Sequence, residues 1–173
     1  MKFKDSIYHD ILKHDLASIQ NGIEDLALHC DQSLRFIQAI PRGKLPFAYA
    51  PGKWTVAQVV GHLLDTRIVF LNRILYVARG EKIPLPPFDE QIWVENGGYS
   101  RQGLDELTSI YAEGARLFQS MINALPPGSL GREGVANGVT ITAEEIVLYL
   151  MAHEKHHLRV VAERYLGEDT TPA

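Results

Sequence analysis

Cysteine is nearly absent from the sequence, which has one, Cys30, among 173 residues. A single thiol cannot form an internal disulfide, and the opening residues MKFKDSIYHD lack the apolar segment of a secretory signal. Long apolar runs are missing too, since no stretch reaches the about 18 apolar residues that a membrane-spanning helix needs. We therefore expect a cytoplasmic protein with no membrane partner.

Positive charge is also scarce. The sequence has 17 Lys and Arg against 21 Asp and Glu, a formal net charge of −4, and no basic run stands out. Because proteins bind nucleic acids largely through clustered Lys and Arg, no nucleic-acid partner is expected. The remaining composition, 46% hydrophobic and 22% charged, is typical of globular proteins, and the length suits a single domain over residues 1–173.

The nine prolines fall into a few clusters, and helix-length segments lie between them. Within each segment apolar residues recur at three- and four-residue steps, as they do on the buried face of an amphipathic helix. A short additional helix is predicted near the N-terminus, over residues 6–13. The four long segments cover residues 15–39, 55–80, 100–125 and 142–167.

Two of these segments begin with a capping box, in which a hydroxyl residue is followed three positions later by Glu or Gln. Thr55 with Gln58 begins the second helix, and Thr142 with Glu145 begins the fourth. No set of alternating strands competes with the helices, and residues 139–141 are predicted to be at most an extended lead-in to the fourth helix. The sequence therefore predicts an all-α four-helix bundle.

The connections at residues 81–99 and 126–141 are longer than the roughly 2–8 residues typical between bundle helices. The first contains Phe88, Asp89, Trp93 and Tyr99, which combine aromatic and acidic character. Long loops often carry binding sites, so this segment is predicted to form a lid over a pocket at one end of the bundle. The alternative is that it crosses the bundle and packs its aromatic side chains there.

Histidines on the last helix are the strongest sign of chemistry. His153 and His157 continue its apolar stripe, and a four-residue spacing places two imidazoles one turn apart, close enough to bind one ion. His62 borders the buried face of the second helix. Three imidazoles from two helices would hold a metal with coordination positions left open for water or substrate. The alternative is that they are buried, hydrogen-bonded core histidines.

Asp65 follows His62 by three residues and lies on nearly the same helix face. It is predicted to be an additional ligand or a group that hydrogen-bonds to one, or else a partner for Arg67 or for the first helix. The other histidines, His9, His14, His29 and His156, share no face with this trio and are expected at the surface or the rim.

Residues 153–157 also spell H-E-x-x-H, the zinc-peptidase motif in which the glutamate, here Glu154, is the general base. This peptidase interpretation is disfavoured, because Val160 stands where the extended motif has a turning glycine. Glu154 is instead expected to be a rim residue near the metal, with a catalytic or supporting role.

Three segments together resemble one known family, the DinB/YfiT-like superfamily of metal-dependent enzymes. They are GKWTVAQVVGHLLDTRI, with a tryptophan and a hydroxyl cap before the histidine, then FDEQIWVENGGYS, then AHEKHHLRVV. The resemblance covers nearly the whole chain. One departure is that family members often end the last helix with an HHRGQ-like segment, whereas this chain continues His157-Leu158-Arg159-Val160.

The resemblance implies a four-helix bundle, often a homodimer, with a divalent ion, nickel or zinc, held by His62, His153 and His157. Members of the family include S-transferases that use bacillithiol or mycothiol, a mycothiol-dependent maleylpyruvate isomerase, and proteins described as hydrolases. The implied function is therefore a metal-dependent enzyme that acts on a small-molecule substrate.

Two mechanisms remain open at this stage. The ion could bind a low-molecular-weight thiol and favour its thiolate, which would attack an electrophile. Alternatively, it could lower the pKa of a bound water from 15.7 to about 7 for hydrolysis, with Asp65 or Glu154 managing the proton. A third interpretation is a non-catalytic bundle that binds a metal or small ligand, or that serves in dimerisation.

Overall fold

Helices make up most of the structure, a computed structural model that describes residues 13–82, 85, 87–136 and 139–167. Four long helices form the predicted bundle, in which α2 packs against α4 and α5 and α1 packs against the same two helices. No helix in the described part of the chain is long and apolar enough to cross a membrane. The helices are α1 (Leu26–Ala39), α2 (Val56–Ala78), the short α3 (Glu90–Asn96), α4 (Leu104–Asn123) and α5 (Ala143–Val160), which continues as a π-helical turn (Val161–Leu166).

Both predicted capping boxes are present. The backbone N–H of Gln58 donates to the Thr55 hydroxyl oxygen, and the Gln58 side-chain oxygen accepts from the Thr55 backbone N–H. Thr142 and Glu145 make the same reciprocal pair at the start of α5. At the N-terminus of α2 and again at that of α5, two backbone N–H groups that would otherwise be unpaired thus have acceptors. This fixes where the two histidine-bearing helices begin.

The first helix was predicted as one continuous segment over residues 15–39, but the structure interrupts it. Residues 13–17 are helical, but the chain then leaves the helix and re-enters it through a 3₁₀ turn at Gly22–Asp25. The cause is local: Gly22 has a φ of 63°, and the Asn21 backbone and side-chain N–H groups donate to the Asp25 carboxylate. The short helix predicted over residues 6–13 falls almost wholly outside the described residues.

Both long connections contain regular structure. In the first, Asp89 caps the N-terminus of α3, and its side chain accepts from the Ile92 N–H at 3.0 Å. In the second, β1 (Glu133–Ala136) pairs antiparallel with β2 (Val139–Thr142), where the sequence predicted at most an extended lead-in. The second strand, VTIT, alternates apolar and polar residues, but the first, EGVA, does not, so the sequence showed no second strand to pair with it and the hairpin was missed.

Two apolar clusters fill the interior. One includes Leu26 of α1, Ile74 of α2 and Phe118 of α4. The other includes Ile37 of α1 and Leu107 of α4. Between them every long helix contributes buried polar side chains at the same level, and we call this set the polar layer. It consists of His29 and Ser33 (α1), His62, Thr66 and Arg67 (α2), Tyr111 (α4), and His153 and Glu154 (α5).

Candidate metal centre

Three histidine side chains meet at the polar layer: the buried His62 and His153, which belong to it, and the partly buried His157. His62 comes from α2, and His153 and His157 come from adjacent turns of α5. The Nε2 atom of His153 lies 3.2 Å from that of His62 and 3.1 Å from that of His157. One ligand atom from each ring lies within 4.8 Å of the other two. The two helices therefore bring together the histidines that the sequence singled out.

Burial keeps these imidazoles neutral. His62 is 1% exposed and His153 is 9% exposed. Loss of hydration lowers the pKa of His62 to about 4 and that of His157 to about 3, and it holds the pKa of His153 well below 6.5. At neutral pH each ring therefore has an unprotonated nitrogen, the form in which imidazole binds a metal.

The spacing of the ring nitrogens suits a single divalent ion. Two nitrogens at the usual 2.0–2.1 Å from zinc in tetrahedral geometry lie about 3.3 Å apart, close to the separations found here. Two neutral imidazole nitrogens at this separation either share a proton in a hydrogen bond or both bind one cation. His153 Nδ1 is buried without a hydrogen-bond partner among the described residues, and His62 Nδ1 lies 3.5 Å from the Thr66 hydroxyl. The donor set therefore fits a divalent metal.

An aromatic side chain that the sequence reasoning did not select covers one of the histidines. The Trp54 ring lies against His62, with ring centroids 4.9 Å apart. Its indole N–H donates to the Gln91 side-chain oxygen of α3 at 2.9 Å. This contact connects the 81–99 segment to the histidine cluster through one intervening ring. Trp54 could have been found from its position directly before the Thr55 cap of the helix that carries His62.

Asp65 has a partner from the predicted lid. The Tyr99 hydroxyl donates to Asp65 Oδ1 at 2.5 Å, while Oδ2 is buried with no hydrogen-bond partner among the described residues. Burial raises the pKa of Asp65, and the hydrogen bond from Tyr99 opposes this effect. Asp65 does not belong to the converging donor set, and its alternative assignment as a partner of Arg67 is wrong.

Two glycines make room for the Tyr99 ring. A Cβ added at Gly61 would lie 2.1 Å from Tyr99 Cγ, and one added at Gly97 would lie 2.3 Å from Cε2. Gly61 directly precedes His62 on α2, so the ring packs on the helix backbone beside the histidine cluster. Any larger residue at either position would displace it.

The other predicted lid residues, Phe88, Asp89 and Trp93, make contacts within their own segment. Phe88 and Trp93 pack edge to face on each other with centroids 5.3 Å apart, and Trp93 is 41% exposed. Asp89 serves as the cap of α3. The structure thus connects Tyr99 to the site and leaves the lid role of Phe88, Asp89 and Trp93 a prediction.

Glu154 is not a rim residue, and that prediction is wrong. Its side chain is 1% exposed, and it accepts hydrogen bonds from Arg67, Tyr111 and His29. Burial opposes its ionisation, but Arg67 and His29 lower its pKa to about 2. With both oxygens engaged, Glu154 cannot serve as the general base that the zinc-peptidase interpretation requires.

The remaining histidines divide into two groups. His29 was expected at the surface but is 4% exposed and donates to Glu154 at 2.8 Å, so that expectation is wrong. His14 is exposed, and His156 is partly exposed beside Asp15, as expected of surface or rim residues. His9 lies outside the described residues.

Comparison with known proteins finds a family match and relatives described as metal-dependent. Residues 26–161 match the DinB superfamily. A "putative metal-dependent hydrolase" of Oceanobacillus iheyensis is 30% identical over 117 residues, which are 66% of this chain and 67% of that protein. A protein of the same description from Geobacillus kaustophilus is 29% identical over 123 residues, which are 66% of this chain and 65% of that one. The chain thus spans about two thirds of each relative.

Solved structures show the same architecture at low sequence identity. YfiT of Bacillus subtilis, described as a probable metal-dependent hydrolase with an unusual four-helix bundle topology, has a TM-score of 0.67 at 20% identity, over 95% of this chain and 93% of its own. A mycothiol-dependent maleylpyruvate isomerase has a TM-score of 0.64 at 16% identity, over 92% of this chain and 63% of its own. Given the match over residues 26–161 and this shared bundle, the chain belongs to the DinB superfamily.

Proposed function

We propose that this protein is a divalent-metal-dependent enzyme that hydrolyses a small-molecule substrate at the cluster formed by His62, His153 and His157. The observation that carries the proposal is the convergence of three imidazoles, of which His62 and His153 are buried and His157 is partly buried, with one ring nitrogen from each within 4.8 Å of the others. Support comes from the two sequence relatives whose names describe metal-dependent hydrolases. Three imidazoles with no fourth protein donor in the described cluster leave coordination positions for water and substrate.

A divalent ion, nickel or zinc, would supply Lewis acidity, because it polarises a substrate oxygen and lowers the pKa of a bound water or thiol. The protein's own residues would then orient the reactants and move a proton. Our candidate for the proton acceptor is Asp65, three residues after His62 on α2, since one carboxylate oxygen is held by Tyr99 and the other has no partner in the described structure. Trp54 would exclude water from the outer side of His62.

A second candidate is transfer of a low-molecular-weight thiol to an electrophile at the same three histidines. It is favoured by the shared bundle architecture of the mycothiol-dependent isomerase. In this reaction the thiol sulfur would take the place of water, and neutral imidazoles would stabilise the ion that favours thiolate. The chain's only cysteine, Cys30, is buried and packs in an apolar cluster, so the thiol would come from a separate molecule.

The first experiment measures metal content by mass spectrometry in untagged protein purified without chelator. Wild type should carry about one divalent ion per chain, and His62→Ala, His153→Ala and His157→Ala should each lose it. His14→Ala and His156→Ala are matched controls, because they remove histidines outside the cluster and should retain the ion. A wild-type protein that cannot be loaded with zinc or nickel, or controls that lose metal equally, would refute the proposal.

The second experiment separates the two reactions. Metal-loaded protein is given a panel of ester, amide and phosphoester substrates without thiol, and a generic electrophile with glutathione, bacillithiol or mycothiol. Turnover without thiol supports hydrolysis, and turnover only with thiol supports transfer. Asp65→Asn should reduce kcat in the hydrolytic reaction while metal content stays unchanged. Full metal occupancy without turnover in either panel would favour a non-catalytic metal-binding bundle.

A further inference from the structure

A buried network joins all four long helices beside the histidine cluster. The guanidinium of Arg67 donates from Nε to Glu154 Oε1 at 2.9 Å and from Nη2 to Oε2 at 2.7 Å. Tyr111 donates its hydroxyl to Glu154 at 3.1 Å, and His29 donates Nε2–H at 2.8 Å. Arg67 is 2% exposed and Glu154 is 1% exposed. We call Arg67, Glu154, Tyr111 and His29 the ion-pair network.

Both charged groups of the network, the Arg67 guanidinium and the Glu154 carboxylate, make several hydrogen bonds within it. Arg67 also donates to the Tyr111 hydroxyl at 2.6 Å, and its guanidinium lies 4.2 Å from the centre of the Tyr111 ring. A planar guanidinium and a carboxylate held by two parallel hydrogen bonds have one preferred mutual orientation. Such a pair fixes both the axial position and the rotation of the two helices that bear it.

Stability alone does not explain the network. Taking both charges out of water carries a large desolvation cost, and well-packed apolar side chains in the same place are often as stabilising or more so. The best attested use of buried polar groups is to select one register among alternatives. In this bundle a slip of α2 along α5 would move Arg67 into one of the two apolar clusters, away from its carboxylate partner.

The network lies on the two helices that carry the candidate metal ligands. Glu154 follows His153 directly on α5, and Arg67 follows His62 by five residues on α2. A binding constellation of this kind has to be held to within about 0.5 Å of its productive geometry. The Nε2 atoms of His62 and His153, which come from different helices, lie 3.2 Å apart, so their separation depends on how those helices are aligned.

We propose that the ion-pair network positions the metal centre: the bidentate Arg67–Glu154 pair sets the register of α2 against α5 so that His62 meets His153 and His157. Tyr111 and His29 hold the Glu154 carboxylate in place from α4 and α1. These four are positioning residues that touch neither metal nor substrate. The inference rests on the proposed function, since it requires that the three histidines bind a metal.

The test compares metal binding with stability in purified, metal-free protein. Glu154→Gln keeps the size of the side chain but removes its charge, and it should weaken zinc binding about tenfold in a competition titration with a chromophoric chelator. Cobalt(II) should bind the variant with an altered visible absorption spectrum, because that spectrum reports ligand geometry. Tyr111→Phe removes a single hydroxyl, keeps the ring beside Arg67, and should weaken zinc binding severalfold.

Phe118→Leu is the matched control. Phe118 is 1% exposed in an apolar cluster on α4, one of the helices of the network, and the variant removes apolar contacts without touching a polar group. It should unfold at a lower urea concentration but bind zinc and cobalt(II) as wild type does. This control separates a general loss of stability from a misplaced ligand set.

The outcomes are distinguishable. Weaker zinc binding and a changed cobalt(II) spectrum in Glu154→Gln, with neither in Phe118→Leu, support the positioning role. If Glu154→Gln does not fold, Tyr111→Phe decides by the same measurements. Wild-type zinc affinity and cobalt(II) spectrum in every folded network variant would overturn the inference and leave the proposed function intact. Failure of wild type itself to bind zinc, nickel or cobalt(II) would overturn both.

Discussion

Two glycines in helix interiors should respond in opposite ways to the same substitution. Gly61 lies within α2 and Gly114 within α4. Replacing a mid-helix glycine by alanine normally stabilises a protein by roughly 0.5–1 kcal/mol, because alanine loses less conformational freedom on folding. At Gly114 the added Cβ would lie 3.9 Å from Arg67 Cδ, an ordinary contact, so Gly114→Ala should gain about that amount.

At Gly61 the added Cβ would lie 2.1 Å from two atoms of the Tyr99 ring, and a shift of a few tenths of an ångström cannot relieve that overlap. The ring must leave its place, which breaks the Tyr99–Asp65 hydrogen bond. A hydrogen bond to a charged group contributes about 1.5–3 kcal/mol, and partial exposure of Asp65 puts this one at the lower end. After the helix gain is subtracted, the lost hydrogen bond leaves Gly61→Ala destabilised by about 0.5–1 kcal/mol. Loss of the packing of the Tyr99 ring adds about 1 kcal/mol or more, so that Gly61→Ala falls below Tyr99→Phe.

The assay is urea unfolding of chelator-treated protein followed by far-UV circular dichroism, with wild type, both glycine variants and Tyr99→Phe side by side. Tyr99→Phe loses only the hydroxyl and reports the hydrogen bond alone. We expect the order of stability to be Gly114→Ala, wild type, Tyr99→Phe, Gly61→Ala. If Gly61→Ala proves as stable as Gly114→Ala, the Tyr99 ring does not pack on α2 and its placement beside the histidines is wrong.

Three further predictions concern titration and charge. Burial raises the pKa of Cys30 from 9.0 to about 11, so the native protein should react slowly with Ellman's reagent at pH 8. The free energy of unfolding should fall as pH rises from 9 to 11, because the thiol ionises in the unfolded chain but not in the folded one over that range. Metal-free protein should lose stability as pH falls from 6.5 to 4, since buried His62 and His157 resist protons that the unfolded chain accepts. His62→Gln should weaken this dependence in urea titrations at several pH values. The exposed Arg42–Asp105 pair should contribute little, and Asp105→Asn should change unfolding free energy by less than about 1 kcal/mol.

Local signals in the sequence were enough to predict the bundle. Thr55 and Thr142 begin their helices as expected, because a capping box is a contact between residues three positions apart. The break near Gly22 went unseen because the apolar stripe continues through it, while the Asn21–Asp25 contact that favours the turn competes with the helix locally. The β-hairpin was missed because β1, with the sequence EGVA, lacks the alternation of a strand.

The histidine cluster could also be predicted from the sequence, because it too depends mostly on short-range spacing. His153 and His157 are neighbours by helix geometry alone, and His62 required only that α2 and α5 pack together. Glu154 shows the limit of this reasoning. Whether it faces water or the interior depends on Arg67, Tyr111 and His29, which arrive from three other helices, and no short-range spacing encodes that meeting.

The three histidines and α3, the short helix connected to them through Trp54, belong to different parts of the chain. This separation affects how the protein can change by mutation. The three histidines stand on α2 and α5, whereas α3 contributes no donor and connects to them through Trp54 and Gln91. Its outward side chains Ile92 and Trp93 are more than two fifths exposed. Under the proposed function, we therefore expect substitutions on α3 to change which small molecules bind while leaving the three histidines in place.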